Sequence, residues 1–264
     1  MIHELRERFL SLHQNLFVMP NPWDVGSALI LESLGFSALA TTSSGMAAAL
    51  GRQDQQTSLD ELVTHVASVA NAVNVPVNVD AEYCFSQTTA GLVETVDRLA
   101  DAGASGISIE DYNPLDKTIL EQGLASERVA AVVEAAGVHG ITVTARSENH
   151  LYGVSDLDDT IGRLVAYQQA GADVLYAPGV VEPDAIAQLV SETDRPINIL
   201  PLPGCPEMSA LAQMGVRRIS TGGSLAWTAY GALAHYGRSL AEAGSFEYLR
   251  HAIRSSDRNS AFGG

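Results

Sequence analysis

The order of elements along the chain predicts an α/β fold, a (β/α)8 barrel of the TIM type. Eight short strand candidates alternate with longer helical stretches along the whole 264-residue sequence. Most of these strands are apolar on successive residues, which is typical of parallel strands covered on both faces. No linker or low-complexity segment divides the chain, so we predict one domain over residues 1–264. An open doubly wound sheet is the alternative, although eight parallel strands are many for it and no split is visible.

Each strand candidate is a brief run rich in β-branched residues. The clearest helical periodicity lies at 59–73, 91–102 and 157–170. Three helices end just before a glycine, the residue that adopts the left-handed cap and turns the chain back into a strand. These glycines are Gly103, Gly171 and Gly215. The strand candidates are 17–19, 38–42, 75–79, 106–109, 141–145, 174–177, 197–200 and 217–220.

Two more helices lie outside this alternation. The helix predicted at 2–13 precedes the first strand, and we expect it to cap the bottom of the barrel or to dock on a neighbour. The C-terminal stretch 225–243 is long and Ala-rich, with apolar residues on most of its faces. Such a helix favours burial against another subunit, so we expect a homo-oligomer.

Composition excludes several classes of function. The chain has 31 acidic against 15 basic residues and a formal net charge of −16, which lacks the positive footprint of a nucleic-acid-binding protein. Two cysteines form no disulfide framework and suit a reducing cytoplasm. No apolar signal core and no run of about eighteen apolar residues is present, so neither export nor a membrane span is predicted. We expect a cytoplasmic protein with a small-molecule ligand.

Acidic residues and one arginine follow neighbouring strands. Asp80 and Glu82 come at the end of the third strand candidate, Glu110 after the fourth and Arg146 after the fifth. The carboxyl ends of barrel strands meet at one face, so these side chains should converge. Carboxylates without a His or Cys cluster favour Mg²⁺ or Mn²⁺ over Zn²⁺, and the arginine can clamp a substrate carboxylate. The alternative is that each carboxylate is a solvated helix N-cap. This alternative explains any one of them better than it explains the combination of Asp80, Glu82, Glu110 and Arg146.

Six short segments stand in order along the chain: PNPWD at 20–24, TTSSGM at 41–46, GRQD at 51–54, VDAE at 79–82, IED at 109–111 and AR at 145–146. Through these segments the chain resembles the isocitrate lyase and phosphoenolpyruvate mutase superfamily, and the resemblance covers residues 20 to about 240. The resemblance implies a barrel whose last helix swaps onto a partner subunit, usually within a dimer of dimers.

The same resemblance implies a set of site residues. Asp80 would hold Mg²⁺ directly, and Glu82 and Glu110 would act mainly through bound waters. Arg146 would face the substrate carboxylate, and Asp54 would lie on the mobile-loop side of the pocket. An oxyanion hole would be formed by backbone N–H groups of three residues, which are Ser44, Gly45 and Met46.

The sequence departs from this family in two loops. Family lyases carry a cysteine in a basic loop after the fourth strand, whereas residues 112–123 contain neither Cys nor His, which disfavours an isocitrate or methylisocitrate lyase. Relatives place Gly-Tyr-Gly after the acidic pair, whereas this chain has YCFSQ at 83–87. We interpret Cys84 as a packed thiol rather than a substitute acid. Lys117, the only lysine, is interpreted as a solvated loop charge.

These residues predict a Mg²⁺-dependent carbon–carbon bond lyase or decarboxylase that acts on a small 2-oxo or 2-hydroxy dicarboxylate. Its enolate would be stabilised by the cation, Arg146 and the region around Gly45. One alternative is phosphorus–carbon chemistry on phosphonopyruvate or phosphoenolpyruvate, which needs more donors than Asn113 and Lys117 offer after Glu110. Asn113 is predicted to contact the substrate. Another alternative is a catalytically silent barrel that binds a 2-oxo acid.

Overall fold

A computed structural model describes residues 2–263 and confirms the (β/α)8 barrel. Its strands are β1 Phe17–Met19, β2 Leu39–Ala40, β3 Val77–Asp80, β4 Gly106–Glu110, β7 Thr142–Arg146, β8 Val174–Tyr176, β9 Ile197–Ile199 and β10 Arg218–Ser220, with a separate hairpin of β5 Tyr112–Asn113 and β6 Thr118–Ile119. The eight parallel strands form one sheet in the order β1-β10-β9-β8-β7-β4-β3-β2. The sheet closes where the Ala40 N–H donates to the Pro20 oxygen at 3.1 Å, which joins the ends of β2 and β1.

The helices also follow the predicted pattern. Gly103, Gly171 and Gly215 have φ angles of 100°, 101° and 95°, so each takes the left-handed cap expected of it. The helices are α1 Ile2–Leu12, α2 Val25–Ser33, α3 Ser43–Ala49, α4 Leu59–Ala72, α5 Thr89–Asp101, α6 Gln122–His139, α7 Leu157–Gln169, α8 Pro183–Ser191, α9 Met208–Met214, α10 Ser224–Ala243 and α11 Ser255–Phe262. Within residues 2–263, none of them has the length and apolar character needed to cross a membrane.

Helix α1 closes the bottom of the barrel, as one of the two predictions for it stated. The buried Arg6 guanidinium donates to three carbonyl oxygens at the ends of α5 and α6, those of Ala104, Ala100 and His139, at 3.0, 2.9 and 2.8 Å. Phe9 is fully buried beneath the strands. The guanidinium therefore satisfies helix-end carbonyls while the apolar face of α1 seals the barrel.

The inward face of the barrel is polar. Strand pairing places Asp80 beside Ser108 and Tyr176 beside Asn198, and all four lie on the inward face. Barrel interiors are usually filled by Val, Ile and Leu, which here lie mostly on the outward face against the helices. This polar interior is what leaves room for a site.

Helix α10 contributes little to the barrel. Of its twenty residues only Ala226 is buried, and Trp227, Leu233 and Leu240 are exposed by 56%, 69% and 44%. Helix α11 returns to pack on α2 through Ala261. Most of the apolar surface of α10 is therefore left uncovered.

Candidate active site

Arg146 lies at the centre of a carboxylate cluster at the carboxyl end of the strands. Its Nη1 is 2.7 Å from Asp80 Oδ1, its Nη2 is 3.3 Å from Glu110 Oε2, and its Nε is 2.8 Å from Glu148 Oε1. The Tyr176 ring centroid lies 5.2 Å from the guanidinium carbon, within cation–π distance. The structure therefore brings three of the predicted site residues together and adds two that sequence reasoning missed, Glu148 and Tyr176.

Asp80 links the cluster to the start of α3. Its Oδ2 accepts hydrogen bonds from the Ser43 N–H at 3.1 Å and the Ser43 hydroxyl at 3.0 Å. Its own N–H donates to Thr41 Oγ1 at 2.9 Å. Neighbouring strand ends thus fix both the backbone and the carboxylate of this residue.

Glu82 is a buried carboxyl group. It is 2% exposed, and neither of its side-chain oxygens has a hydrogen-bond partner among residues 2–263. Burial and, to a smaller extent, the negative charges of Asp80 and Asp54 together raise its pKa to about 8. A buried carboxylate without donors is costly unless a cation or a proton neutralises it. Two orphaned oxygens beside Asp80 are therefore the feature that best fits a bound cation.

The donor set fits Mg²⁺ held mainly through water. Asp80, Glu82 and Glu110 offer hard oxygens, which Mg²⁺ and Mn²⁺ prefer. Between residues 2 and 263, no group of three or more His, Cys, Asp or Glu side chains is arranged to hold an ion directly. Mg²⁺ commonly uses one or two carboxylates and keeps several waters, so this arrangement agrees with one direct ligand.

A second buried network holds the loop that carries Glu148. Asp111 Oδ1 accepts the Glu148 N–H at 2.8 Å, and its Oδ2 accepts from the Tyr167 hydroxyl at 2.7 Å and Arg163 Nη1 at 3.2 Å. The network therefore fixes the backbone of Glu148, whose carboxylate pairs with Arg146.

The surroundings of Glu110 also shift its pKa. Burial raises this pKa, the positive charge of Arg146 lowers it, and the negative charges of Glu148 and Asp80 raise it.

The amides at the start of α3 differ from the predicted oxyanion hole. The Gly45 N–H donates to Thr42 Oγ1 at 3.3 Å, and the Met46 N–H donates to the Thr42 carbonyl at 3.0 Å. Both belong to the helix cap, so of the three predicted amides only that of Ser44 has no partner within the described chain. The Ser44 hydroxyl accepts from Trp227 Nε1 at 3.0 Å, which ties α3 to α10.

Asp54 lies in the loop between α3 and α4 and lines the same cavity as Asp80 and Arg146. Burial raises its pKa, and the charge of Asp80 raises it further. The next residue, Gln55, donates to the Tyr152 hydroxyl at 3.0 Å and to Glu110 at 3.4 Å. Tyr152 stacks on Tyr112 with ring centroids 3.6 Å apart. The loop that carries Asp54 and Gln55 is therefore tied to the site by hydrogen bonds to Tyr152 and Glu110.

Asn113 does not reach this cavity. Its amide donates to Asp116 at 2.6 Å, and it lines a separate cavity beside Tyr83 and Arg128. Cys84 is fully buried, and burial raises its pKa to about 12, in line with a packed thiol. Lys117 is exposed in the hairpin turn, as interpreted from the sequence.

The loop that lost its glycines keeps a left-handed backbone. Glu82, Cys84 and Phe85 have φ angles of 49°, 58° and 52°. Side chains other than glycine rarely adopt this conformation, so the surrounding packing must hold it. In this conformation the Glu82 carboxyl group lies within electrostatic reach of Asp80, Asp54 and Arg146.

One cavity of about 230 Å³, sized for a small organic acid, runs from the mouth into the barrel. Sequence reasoning missed its inner wall because those residues lie within strands rather than at their ends. Their polar character at alternate strand positions was the available signal. The cavity is lined by Met19, Asn21, Ala40, Thr41, Thr42, Ser43, Ser44, Asp54, Asn78, Asp80, Ser108, Arg146, Leu151, Tyr176, Asn198, Leu200, Arg218, Ser220, Gly222 and Gly223.

Comparison with known proteins finds matches over most of the chain. Residues 9–241 match the family described as phosphoenolpyruvate phosphomutase. A crystal structure from Burkholderia cenocepacia J2315, described as a candidate lyase/mutase, is 40% identical with a TM-score of 0.95 and covers 100% of this chain and 97% of its own. An uncharacterized protein of Mycobacterium tuberculosis is 32% identical over 87% of each chain. Oxaloacetate decarboxylase 2 of Pseudomonas fluorescens is 30% identical over 67% of this chain and 63% of its own.

Proposed function

Because this chain belongs to the phosphoenolpyruvate phosphomutase family, within the isocitrate lyase superfamily, we propose that it is a Mg²⁺-dependent lyase or decarboxylase of a small 2-oxo or 2-hydroxy dicarboxylate. The reaction would break a carbon–carbon bond and pass through an enolate. The similarity to an oxaloacetate decarboxylase supports this substrate class.

The observation that carries the proposal is the pairing of Arg146 with Asp80, Glu110 and Glu148, within electrostatic reach of the unpartnered Glu82. Asp80, Glu82 and Glu110 would hold Mg²⁺. When bound, the ion supplies positive charge next to the oxygen on which an enolate develops its negative charge. The small size of the cavity limits the substrate to a few carbon atoms.

Arg146 supplies the second positive charge. A guanidinium has five N–H donors, and within residues 2–263 two of them donate hydrogen bonds, to Asp80 and Glu148, while Nη2 forms an ion pair with Glu110. The donors that remain can bind a substrate carboxylate. Preorganised donors of this kind act where charge develops, and the Ser44 amide adds another at the rim.

Asp54 is proposed as the group that exchanges a proton with the substrate. Two carboxyl groups line the cavity itself, Asp54 and Asp80, and Asp80 is held by Arg146 and Ser43. Asp54 stands at the mouth, where it can reach a bound acid. Cys84 is fully buried outside the cavity lining and cannot take this role.

The chemistry of a Schiff base does not fit this chain. Such catalysis needs a lysine in the pocket, and the single lysine, Lys117, is exposed in the hairpin turn. This favours enolate stabilisation by charge over amine catalysis.

The test is a steady-state assay of oxaloacetate, dimethylmalate-type acids and phosphonopyruvate, each with Mg²⁺ and with a chelator. We expect chelator-sensitive cleavage of one carbon–carbon substrate, with the Asp80→Ala variant inactive. Turnover of phosphonopyruvate alone would identify a phosphorus–carbon enzyme instead. Tight Mg²⁺-dependent binding of an acid without turnover of any would identify a silent binding protein and overturn the proposal.

A further inference from the structure

Arg218 is a charged residue deep in the barrel that the proposed reaction does not use. It lies on β10 with its side chain inside the barrel, and it is 1% exposed. The cavity that contains Asp80 and Arg146 also reaches Arg218, so one continuous space joins the carboxylate cluster to this residue. Its position makes it the floor of the pocket.

The partners of Arg218 are all neutral. Its Nε donates to Asn198 Oδ1 at 2.9 Å, its Nη2 to Thr144 Oγ1 at 3.0 Å, and its Nη1 lies 3.2 Å from His13 Nε2. The Asn198 amide is oriented by its own bond to Ser220, which is 2.8 Å long. Within the described residues, three of the five N–H donors of Arg218 have a partner, which leaves two free, one on each terminal nitrogen.

His13 is a neutral partner of Arg218. Its Nδ1 lies 3.0 Å from the Phe9 carbonyl oxygen, which requires a proton on Nδ1 and leaves Nε2 as the acceptor for Arg218. The imidazole is therefore neutral. Burial and the nearby charge of Arg218 together lower its pKa to about 3, in agreement with this assignment.

Arg218 and Arg146 differ in their acidic partners. Arg146 has three carboxylates within 3.3 Å, whereas within residues 2–263 no Asp or Glu forms an ion pair with Arg218. Burying a cation without a counter-ion is expensive, and burial lowers the pKa of Arg218 to about 9. A mobile anion that enters through the cavity would supply the missing charge.

We propose that the Arg218 guanidinium forms an anion-binding position at the floor of the cavity, which takes a carboxylate group or a free monovalent anion. The carboxylate would be the second acidic group of the bound dicarboxylate, and this source rests on the proposed function. The free anion would be a halide, which requires no catalysis. Both bind through the two free N–H groups and charge attraction.

Bromide tests the site in the wild-type protein. Crystals soaked in bromide should show an anomalous peak in contact with the Arg218 guanidinium. Co-crystals with Mg²⁺ and malate, which has two carboxylates, should lose the peak if a substrate carboxylate is the natural occupant and retain it if a free anion is. Crystals in which neither bromide nor a carboxylate oxygen contacts Arg218 would overturn the proposal.

A variant provides the solution test. Arg218→Met should abolish bromide protection against thermal unfolding, and it should reduce any preference for malate over lactate in calorimetric binding by about tenfold or more. Arg128→Met, a buried arginine outside this cavity, is the matched control. An unchanged bromide response in folded Arg218→Met would contradict the site. Because bromide binding needs no turnover, an inactive protein that binds bromide would refute the lyase and keep the anion site.

Discussion

Arg146 on β7 reaches across β4 to Asp80 on β3, with 2.7 Å between Nη1 and Oδ1. Glu110, on the strand between them, lies 3.3 Å from the same guanidinium. Three adjacent strands therefore contribute one side chain each to a single charged cluster. This geometry follows from parallel strands that end at the same face of a barrel.

Removing Asp80 should abolish ligand binding and spare the fold. Asp80→Ala deletes the carboxylate proposed as the direct Mg²⁺ ligand, while Arg146 keeps Glu110 and Glu148 as partners. Calorimetry should show no Mg²⁺-dependent binding of oxalate or pyruvate. Asp184→Ala, on the surface at the start of α8, is the control. Unchanged binding in Asp80→Ala would mean that the metal site lies elsewhere.

A methyl group at Gly45 should disturb α3. A Cβ there would meet Thr42 Cγ2 at 2.7 Å and Trp23 Cβ at 2.9 Å, so the helix must shift. We expect Gly45→Ala to lower the free energy of unfolding by about 1–3 kcal/mol, the usual cost of overpacking, and to reduce turnover.

Gly123→Ala is the matched control for that change. Gly123 lies in α6 with nothing within 4 Å of its added Cβ. Alanine is the better helix former by about 1 kcal/mol, so this variant should be as stable as the wild type or more so. Urea titration of both variants measures the difference, and equal stabilities would show that the packing at Gly45 is loose.

Buried His13 should make the fold sensitive to acid. Its pKa is about 3 in the folded state because of burial and the nearby Arg218 charge, against about 6.5 when unfolded. The unfolded chain therefore binds more protons between these values, and the free energy of unfolding falls as pH decreases through this window.

His13→Gln keeps an acceptor for Arg218 but cannot titrate. The decline in unfolding free energy between about pH 6 and pH 4 should be shallower in this variant, by at most about 1.4 kcal/mol per pH unit. Urea titrations at several pH values give the two slopes. His3→Gln, exposed on the same helix, is the control. Identical slopes for His13→Gln and wild type would show that His13 is not kept neutral.

We propose that the exposed face of α10 pairs with another subunit, to form a dimer or a dimer of dimers. Trp227, Leu233 and Leu240 expose apolar surface along this helix. Sedimentation at micromolar concentration should give a dimer or tetramer, and Leu233→Glu should shift it towards monomer. A wild-type monomer under these conditions would rule out the proposed pairing.

The sequence predicted the parts of the site that depend on topology. Residues at strand ends, such as Asp80 and Arg146, converge because any parallel barrel brings those ends together. Polar residues at alternate strand positions, such as Asn198 and Arg218, indicate the polar interior, and a prediction based on strand ends alone omits them. The hydrogen bond from the Tyr167 hydroxyl to Asp111 joins residues 56 positions apart, so no local sequence pattern indicates it.

The sequence also did not predict which backbone N–H groups at the start of α3 are free of hydrogen bonds. The pattern at 41–46 indicated a turn into a helix, but the cap formed by Thr42 decides which amides are free. The side chain of Asn113 likewise turns to Asp116, a choice between neighbours that composition does not reveal.

The most direct test of the central claim is the kcat of Arg146→Lys on the acid that the wild type turns over. Lysine keeps the positive charge but loses the planar pair of donors, so stabilisation of the enolate should fall more than substrate binding. We expect kcat to fall by about a hundredfold or more with a smaller change in KM. Arg98→Lys, which alters the surface pair with Asp60, should keep wild-type rates. A folded Arg146→Lys variant with wild-type kcat would contradict the account.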